Sequence, residues 1–316
     1  MVEYAEARRL ATVALLICDD LEAHESGRMS QVERVMLRRH YVALHIWEGV
    51  INVFLELKFD FSRVPAVSTE LLEGESSEIG QYLNMWNLMT QLIGSPYITI
   101  LMLQIGRAVH GQSYELTLDM ILQFEQKVLE WWDNLPDDFR ICDDPFTPAV
   151  EQVVDSITSS VVLVPFAILH ALSALVQSSL LRPPSVSLQN SATDDMIRII
   201  QEKATSITLS STKALVYVMK RNLEVDVEAV PLSIGYMLGT LHAVCSIVNN
   251  CTTDGVQLPV EVFDLLFRCF TQINALFPPG HQVPASSSTL EAFMADFKNF
   301  KNVDRNIPFP TIKRRG

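Results

Sequence analysis

Paired aspartates and histidines are the residue types in this chain that most often carry chemistry, but their spacing points to no reaction. None of the acid pairs continues into the D-D-x-x-D/E cluster that holds magnesium and diphosphate in some helical enzymes. The sequence also contains no G-x-S-x-G, G-x-G-x-x-G, G-x-x-x-x-G-K-[ST] or H-E-x-x-H motif. We therefore expect the acid pairs to form caps and turns, and we expect no catalytic residue, no metal site and no cofactor.

Three side chains are candidates to line a ligand or partner pocket: Arg38, His170 and Arg182. His170 stands among aliphatic and aromatic residues, which is more typical of a hydrogen-bonded core histidine than of a metal ligand. Arg38 and Arg39 interrupt an apolar helix, so they either lie on a solvated face, which we favour, or meet a carboxylate inside the fold. Arg182 comes just before Pro183 at the expected end of a helix, where the free carbonyl oxygens favour a nearby cation.

The composition limits the classes of protein that the chain can belong to. With 316 residues and 48% hydrophobic content it can bury one large core or two closely packed halves. A net charge of −13 opposes contact with phosphate backbones and anionic lipid, so we expect no direct nucleic-acid binding. The cysteines form no C-x-x-C pair, and the N-terminal apolar run is flanked by acids. Both features favour a reduced cytosolic or nuclear compartment without export.

The hydrophobic pattern is helical along most of the chain. In residues 113–135, one stripe recurs at steps of three and four, and Pro136 ends the helix. The stripe consists of Ile121, Phe124, Val128, Trp131 and Leu135. An alternating segment at 55–61 has the period of a strand, but one strand cannot form a sheet, so we expect an extended connector. The pattern predicts an all-α fold, a large single-domain helical bundle of many packed helices with short loops.

Helix starts and long uncharged stretches complete this prediction. Thr147 and Pro148 suit the start of a helix that runs into the uncharged stretch at 156–181, and Ser191 suits the start of another. A second uncharged stretch covers 229–253. Both stretches are long enough to span a membrane. Because the first also carries many serines and Gln177, which are costly in lipid, we favour buried core helices and keep a membrane protein as an alternative.

Several segments, in order, resemble one known family. Residues 129–140, L-E-W-W-D-N-L-P-D-D-F-R, resemble the "L..W...LP..L" element of the middle homology region of fungal binuclear zinc-cluster transcription factors. Residues 169–170 and 180–183 are similar to that region's "LH…LLHRP" helix. Residues 7–11 and 35–41 resemble its earlier helix and its arginine-rich element.

The resemblance implies a role in regulation. It implies that Trp131, Leu135, Pro136 and Pro183 are structural, that residues 1–300 form a regulatory domain and that residues 301–316 are a flexible basic tail. The implied function is to regulate RNA polymerase II transcription, without catalysis, in the nucleus or between nucleus and cytoplasm. The implied partners are transcriptional co-regulators or a small-molecule effector, with a homodimer possible.

The six-cysteine zinc cluster that precedes this region in family members does not occur in the sequence. A gene fragment, a natural truncated regulator and a descendant with another role would all explain this difference. The alternative function is an all-α small-molecule-binding protein or enzyme built on the same scaffold.

Overall fold

The computed structural model describes residues 4–54, 64–109, 113–181 and 191–225. Within these ranges it contains eight helices and no strand, so the predicted all-α fold is confirmed there. The helices, in chain order, are α1 (Tyr4–Glu25), α2 (Gln31–Phe54), α3 (Ser77–Ile93), α4 (Pro96–Val109), α5 (Leu118–Asp133), α6 (Val150–Ser156), α7 (Ser160–Ser179) and α8 (Ser191–Val225).

Helix α7 lies at the centre of the fold. It contains no charged residue, and every position from 165 to 179 is buried. Helix α8 packs along it most extensively, and α3, α4 and α5 contact it as well. By length and hydropathy α7 would also suit a membrane span, as would the bent pair α3 and α4 taken together. However, 83% of the most apolar part of α7 is buried inside the fold, which is typical of a core helix.

Helices α1 and α2 form a hairpin at one side of this core, and α1 packs mainly on α2. The turn between them is closed by the backbone amides of Arg28 and Met29, which both donate to the carbonyl of Glu25. A capping box starts α2. The amide of Ser30 donates to the carboxylate of Glu33 over 2.7 Å, and the amide of Glu33 donates to the Ser30 hydroxyl over 3.3 Å.

The prediction of one helix from Thr147 into the uncharged stretch is wrong, because the structure has two helices there, α6 and α7. The Thr147 hydroxyl accepts from the amide of Ala149 in a local turn, and α6 begins only after that residue. Helix α6 then ends because Ile157 adopts an extended conformation. The carbonyl of Ile157 accepts a 2.7 Å hydrogen bond from Nε of Arg221 on α8, so the break between α6 and α7 is held by a tertiary contact.

Helix α5 confirms most of the predicted stripe and corrects one member of it. Thr117 caps its start by accepting from the amide of Met120 over 3.2 Å, so the helix is shorter than residues 113–135. Trp132 is completely buried, whereas Trp131 is only partly buried. Steps of three and four lead from Val128 to Leu135 through Trp131 or through Trp132 equally well, so the spacing could not decide between the two tryptophans. In the structure the stripe continues in a step of four from Val128 to Trp132.

Other sequence predictions fall outside the described residues. They concern Arg182 and Pro183, the alternating segment at 55–61, the second uncharged stretch at 229–253 and the basic tail at 301–316.

Candidate ligand site

The segment that follows α5 packs against the central helix. The indole Nε1 of Trp132 donates to the carbonyl of Cys142 over 3.1 Å, and its ring lies 5.8 Å from that of Phe166 on α7. Leu135 and Phe139 are also buried, while Pro136 is exposed and its carbonyl accepts from the amide of Phe139 to close a turn. Around the end of α5, Trp132, Leu135 and Phe139 are thus buried, whereas Leu129 and Pro136 of the same segment are exposed.

Trp131 has a different role in the same segment. Its ring packs partly against the core, and its Nε1 donates to the carbonyl of Leu88 on α3 over 2.9 Å. The two adjacent tryptophans therefore join α5 to two different neighbours: α3 through Trp131, and the loop after α5 together with α7 through Trp132.

His170 is enclosed in the core of α7, with 1% of its surface exposed. Its Nε2 lies 3.0 Å from the carbonyl oxygen of Pro145, and its Nδ1 lies 3.2 Å from the hydroxyl of Ser211 on α8. The rings of Phe146 and Phe166 pack at its edges. Burial lowers the pKa of His170 to about 3, so the imidazole is neutral near pH 7.

The hydrogen bonds of His170 fix its tautomer. A carbonyl oxygen only accepts, so Nε2 carries the proton and donates to Pro145, while Nδ1 accepts from the Ser211 hydroxyl. Both ring nitrogens are therefore occupied by the protein itself. This arrangement is that of the hydrogen-bonded core histidine expected from its apolar neighbours.

The other two candidate residues are not brought to His170 by the described structure. Arg38 is exposed on α2, and Arg182 lies outside the described residues. Arg39, the neighbour of Arg38, is the arginine that meets a carboxylate, contrary to the expectation that Arg38 and Arg39 would both lie on a solvated face. Nη2 of Arg39 donates to Glu75 over 3.0 Å, and Nη1 donates to the second oxygen of the same carboxylate.

The Arg39–Glu75 pair fastens the loop before α3 to α2. Glu75 also accepts from the backbone amide of Leu72 over 2.7 Å, and Arg39 donates to the carbonyl of Glu70. The hydrogen bond from Arg39, followed by that from Leu72, lowers the pKa of the Glu75 carboxyl. We assign this pair a structural role, because Nη1 and Nη2 of Arg39 are both directed at Glu75 and at the Glu70 carbonyl beside it.

A pocket of about 190 Å³ lies between α5, α7 and α8. Most of its wall is apolar and includes Phe124, Val128 and Phe146. Ligand sites are typically concave and apolar with a few fixed polar groups. Phe146 also packs edge-on against His170, so the pocket lies directly beside the motif residues of the central helix.

At one edge of this pocket, three polar side chains from three helices contact one another. Gln177 on α7 is 2% exposed, and its Nε2 donates to Oε1 of Glu125 on α5 over 3.0 Å. Lys203 on α8 reaches the same carboxylate, with Nζ 3.0 Å from one oxygen and 2.9 Å from the other. Glu125 thus accepts hydrogen bonds from both neighbouring helices, and the contact closes one side of the pocket.

Sequence reasoning identified only part of this group. Gln177 was noticeable as a large polar side chain within an uncharged stretch. Glu125 and Lys203 each have mostly apolar residues three and four positions away on their helices, but no local pattern connects two charges that are 78 positions apart.

A group of side chains suited to metal binding is not found in the described ranges. No cluster of three or more histidine, cysteine and acidic side chains occurs in this part of the chain. Cys18 and Cys142 are free thiols. Burial, with a smaller contribution from Asp144 and Asp143, raises the pKa of Cys142 to about 11. Its thiol is therefore protonated near pH 7 and is a weak nucleophile.

The chain matches no family model, and no curated protein or solved structure is significantly similar to it. The family resemblance consequently depends on the motifs and on the way in which their residues are arranged.

Proposed function

We propose that this chain is a regulatory domain of the middle homology type, which changes RNA polymerase II transcription in the nucleus by binding an effector or a co-regulator. The observation that carries the proposal is the contact between two segments of the resemblance. Trp132 near the end of α5 packs against Phe166 on α7, and the carbonyl of Pro145 in the segment after α5 accepts from His170, although these residues are distant in sequence. A pocket suited to a small effector lies beside this contact.

The described site favours binding over catalysis. The imidazole of His170 is neutral and hydrogen-bonded on both sides, and the Cys142 thiol is protonated near pH 7. General acid–base and nucleophilic catalysis need groups that exchange protons or attack near the working pH. The pocket also supports the alternative of an all-α small-molecule-binding protein without a role in transcription.

A reporter assay separates these two functions. The chain is fused to a heterologous DNA-binding domain in a fungal cell, and transcription from the matching promoter is compared with that of the DNA-binding domain alone. We expect at least a threefold change in either direction. The Trp132→Ala fusion should lose the effect, because it removes a buried side chain, whereas Asp133→Ala, at the exposed position next to it, should retain it.

An unchanged reporter, with the fusion folded and present in the nucleus, would overturn the regulatory proposal and leave the binding protein as the better interpretation. Direct DNA contact is tested separately by a mobility-shift titration of the unfused chain. Because its net charge is −13, we expect no sequence-specific duplex binding near physiological salt. Nanomolar, sequence-dependent binding would show that the chain acts on DNA directly.

Recovery without detergent tests the interpretation of α7 as a core helix. The burial of α7 predicts that the chain stays in solution after cell lysis and shows strongly helical circular dichroism. Quantitative recovery in a carbonate-resistant membrane pellet would instead favour the membrane alternative.

A further inference from the structure

The pocket between α5, α7 and α8 combines an apolar wall with one charged contact at its edge. That contact is unequal on its two sides. The Glu125 side chain is 25% exposed and that of Lys203 is 59% exposed. The carboxylate therefore belongs to the wall of the pocket, while the ammonium reaches it from the solvent side.

The carboxylate is held independently of the lysine. Gln177 is buried in the central helix, and its amide donates to Oε1 of Glu125 over 3.0 Å. A buried side chain on a packed helix has few alternative rotamers. Lys203, by contrast, has a flexible four-carbon stem, and exposed ion pairs contribute little to stability. Glu125 thus remains in place if Lys203 moves into solvent.

This arrangement selects the charge of a ligand. A ligand carboxylate that drew Lys203 away would lie next to Glu125, and the two negative charges would repel each other. A ligand hydroxyl would offer Glu125 a hydrogen bond from a neutral donor, and this bond is weaker than the one that the charged lysine donates. A ligand ammonium replaces the lysine ammonium with a group of the same charge and the same donors. The net charge of −13 also attracts cations toward the chain.

The size and lining of the pocket select the body of the ligand. A cavity of ~150 Å³ is known to hold benzene, so a pocket of about 190 Å³ accommodates one ring with a short side chain. Phe124, Val128 and Phe146 offer an apolar surface for such a ring. Aromatic side chains also attract cations to their faces.

We propose that the pocket binds a small apolar primary amine, whose hydrocarbon body lies against Phe124 and Phe146 and whose ammonium replaces that of Lys203 on Glu125. The inference rests on the effector-binding part of the proposed function and names the chemical class of the effector. Lys203 then acts as an internal competitor that occupies the carboxylate until the amine arrives.

Calorimetric titration with three probes of similar shape tests the charge preference: 2-phenylethylamine, 2-phenylethanol and phenylacetate. At pH 7 and low salt we expect the amine to bind at least tenfold more tightly than the other two. Its affinity should fall as salt is added, because an ionic contact is screened. Equal binding of the three probes, or no binding of the amine, would overturn the proposal.

Two substitutions test the roles of the two charged residues. Lys203→Met removes the competitor and should tighten amine binding at least threefold, whereas Glu125→Gln removes the acceptor and should weaken it at least tenfold. The matched controls are Lys127→Met and Glu130→Gln, an exposed ion pair on the same helix α5 with a Nζ to Oε2 distance of 2.6 Å. Neither control should change the affinity. Weaker amine binding by Lys203→Met would show that the lysine binds the ligand itself and would contradict the proposal.

The outcomes separate this inference from the proposed function. A chain that changes the reporter but binds no amine retains its regulatory role and loses this ligand. A chain that binds the amine through Glu125 but leaves the reporter unchanged retains the ligand and loses the regulatory role.

Discussion

Helices α1 and α7 have similar lengths and both carry long apolar stretches, yet the fold buries them to opposite extents. In α7, of 20 residues, every position from 165 to 179 is buried. In α1, of 22 residues, four large apolar side chains are each more than half exposed, namely Leu10, Val13, Leu16 and Ile17. The difference in burial between α1 and α7 arises from the number of helices that pack on each, and not from the presence of apolar residues.

Each helix is buried on the sides where another helix lies. Helix α1 packs mainly on α2, and its buried residues Ala11, Leu15 and Cys18 form a single stripe at helical spacing. Helix α7 has α8 along it and contacts α3, α4 and α5 as well. Hydrophobicity thus shows which helices can be buried, whereas the topology decides on how many sides each helix is buried.

The largest effect is expected at the contact between α5 and α7. Trp132→Ala removes a completely buried indole and should lower the free energy of unfolding by about 3–5 kcal/mol. Trp131→Ala should cost less, because its ring is already partly exposed. Leu135→Ala should cost about 2–5 kcal/mol, since Leu135 is 4% exposed. Chemical denaturation of the three variants, beside Asp133→Ala as the exposed control, measures this order. A larger loss for Trp131→Ala would reverse the assignment of the buried stripe.

A pH titration of stability tests how closely α7 is enclosed. Unfolded histidine has a pKa near 6.5, while the pKa of His170 in the fold is about 3. Below pH 6.5 the unfolded chain therefore takes up a proton that the native state refuses. Stability from this group is complete above pH 6.5 and should fall by about 1.4 kcal/mol per pH unit as the pH drops toward 3.

The control for this titration is His170→Leu, which lacks the titrating group. Its stability at pH 7 should be lower, because the carbonyl of Pro145 loses its donor, but its slope between pH 6.5 and 5 should be shallower than that of the wild type. Equal slopes in the two proteins would mean that His170 is open to protonation in the native state.

The Arg39–Glu75 pair should have a smaller effect, because it joins a loop to the peripheral helix α2. Its hydrogen bonds lower the pKa of the Glu75 carboxyl below the ordinary 4.5. The pair therefore stabilises the fold above pH 4.5, and this contribution is lost as the pH falls further. Glu75→Gln should lower the denaturation midpoint at pH 7 and weaken the pH dependence below 4.5. Glu73→Gln, an exposed change in the same loop, should leave the denaturation midpoint at pH 7 unchanged.

The smallest effect is expected on the exposed face of α1. Leu10→Ser and Leu16→Ser should each change the free energy of unfolding by less than about 0.5 kcal/mol, because both side chains are 62% exposed. Leu15→Ala, at a position 7% exposed on the same helix, should be clearly destabilising. If Leu10→Ser proves as costly as Leu15→Ala, the face is covered in solution and the contrast with α7 disappears.

The sequence predicted those parts of the fold that depend on local pattern. The all-α class follows from repeated steps of three and four, and α8 begins at Ser191, where the sequence placed a helix start. The burial of His170 followed from its apolar neighbours. The choice of Trp131 over Trp132 was wrong because steps of three and four from Val128 to Leu135 pass through either tryptophan, so the spacing alone could not identify the buried one.

The parts that depend on distant contacts could not be predicted in the same way. The break between α6 and α7 is held by Arg221, which lies 64 positions after Ile157. The pocket edge needs Lys203, which is 78 positions after Glu125. Nothing in the local pattern around a charged residue indicates which charge on another helix it will meet.

The burial of α7 has a consequence for the order in which the chain is made. Helix α8, which covers α7 most extensively, ends at Val225, so its last turns leave the ribosome after roughly 45 further residues, about 2–9 s later at ordinary rates of synthesis. During that interval an uncharged helix of 20 residues lacks its principal cover. Nascent chains that stop between α7 and α8 should therefore be the ones that associate with chaperones or aggregate, and chains that extend beyond Val225 should be released.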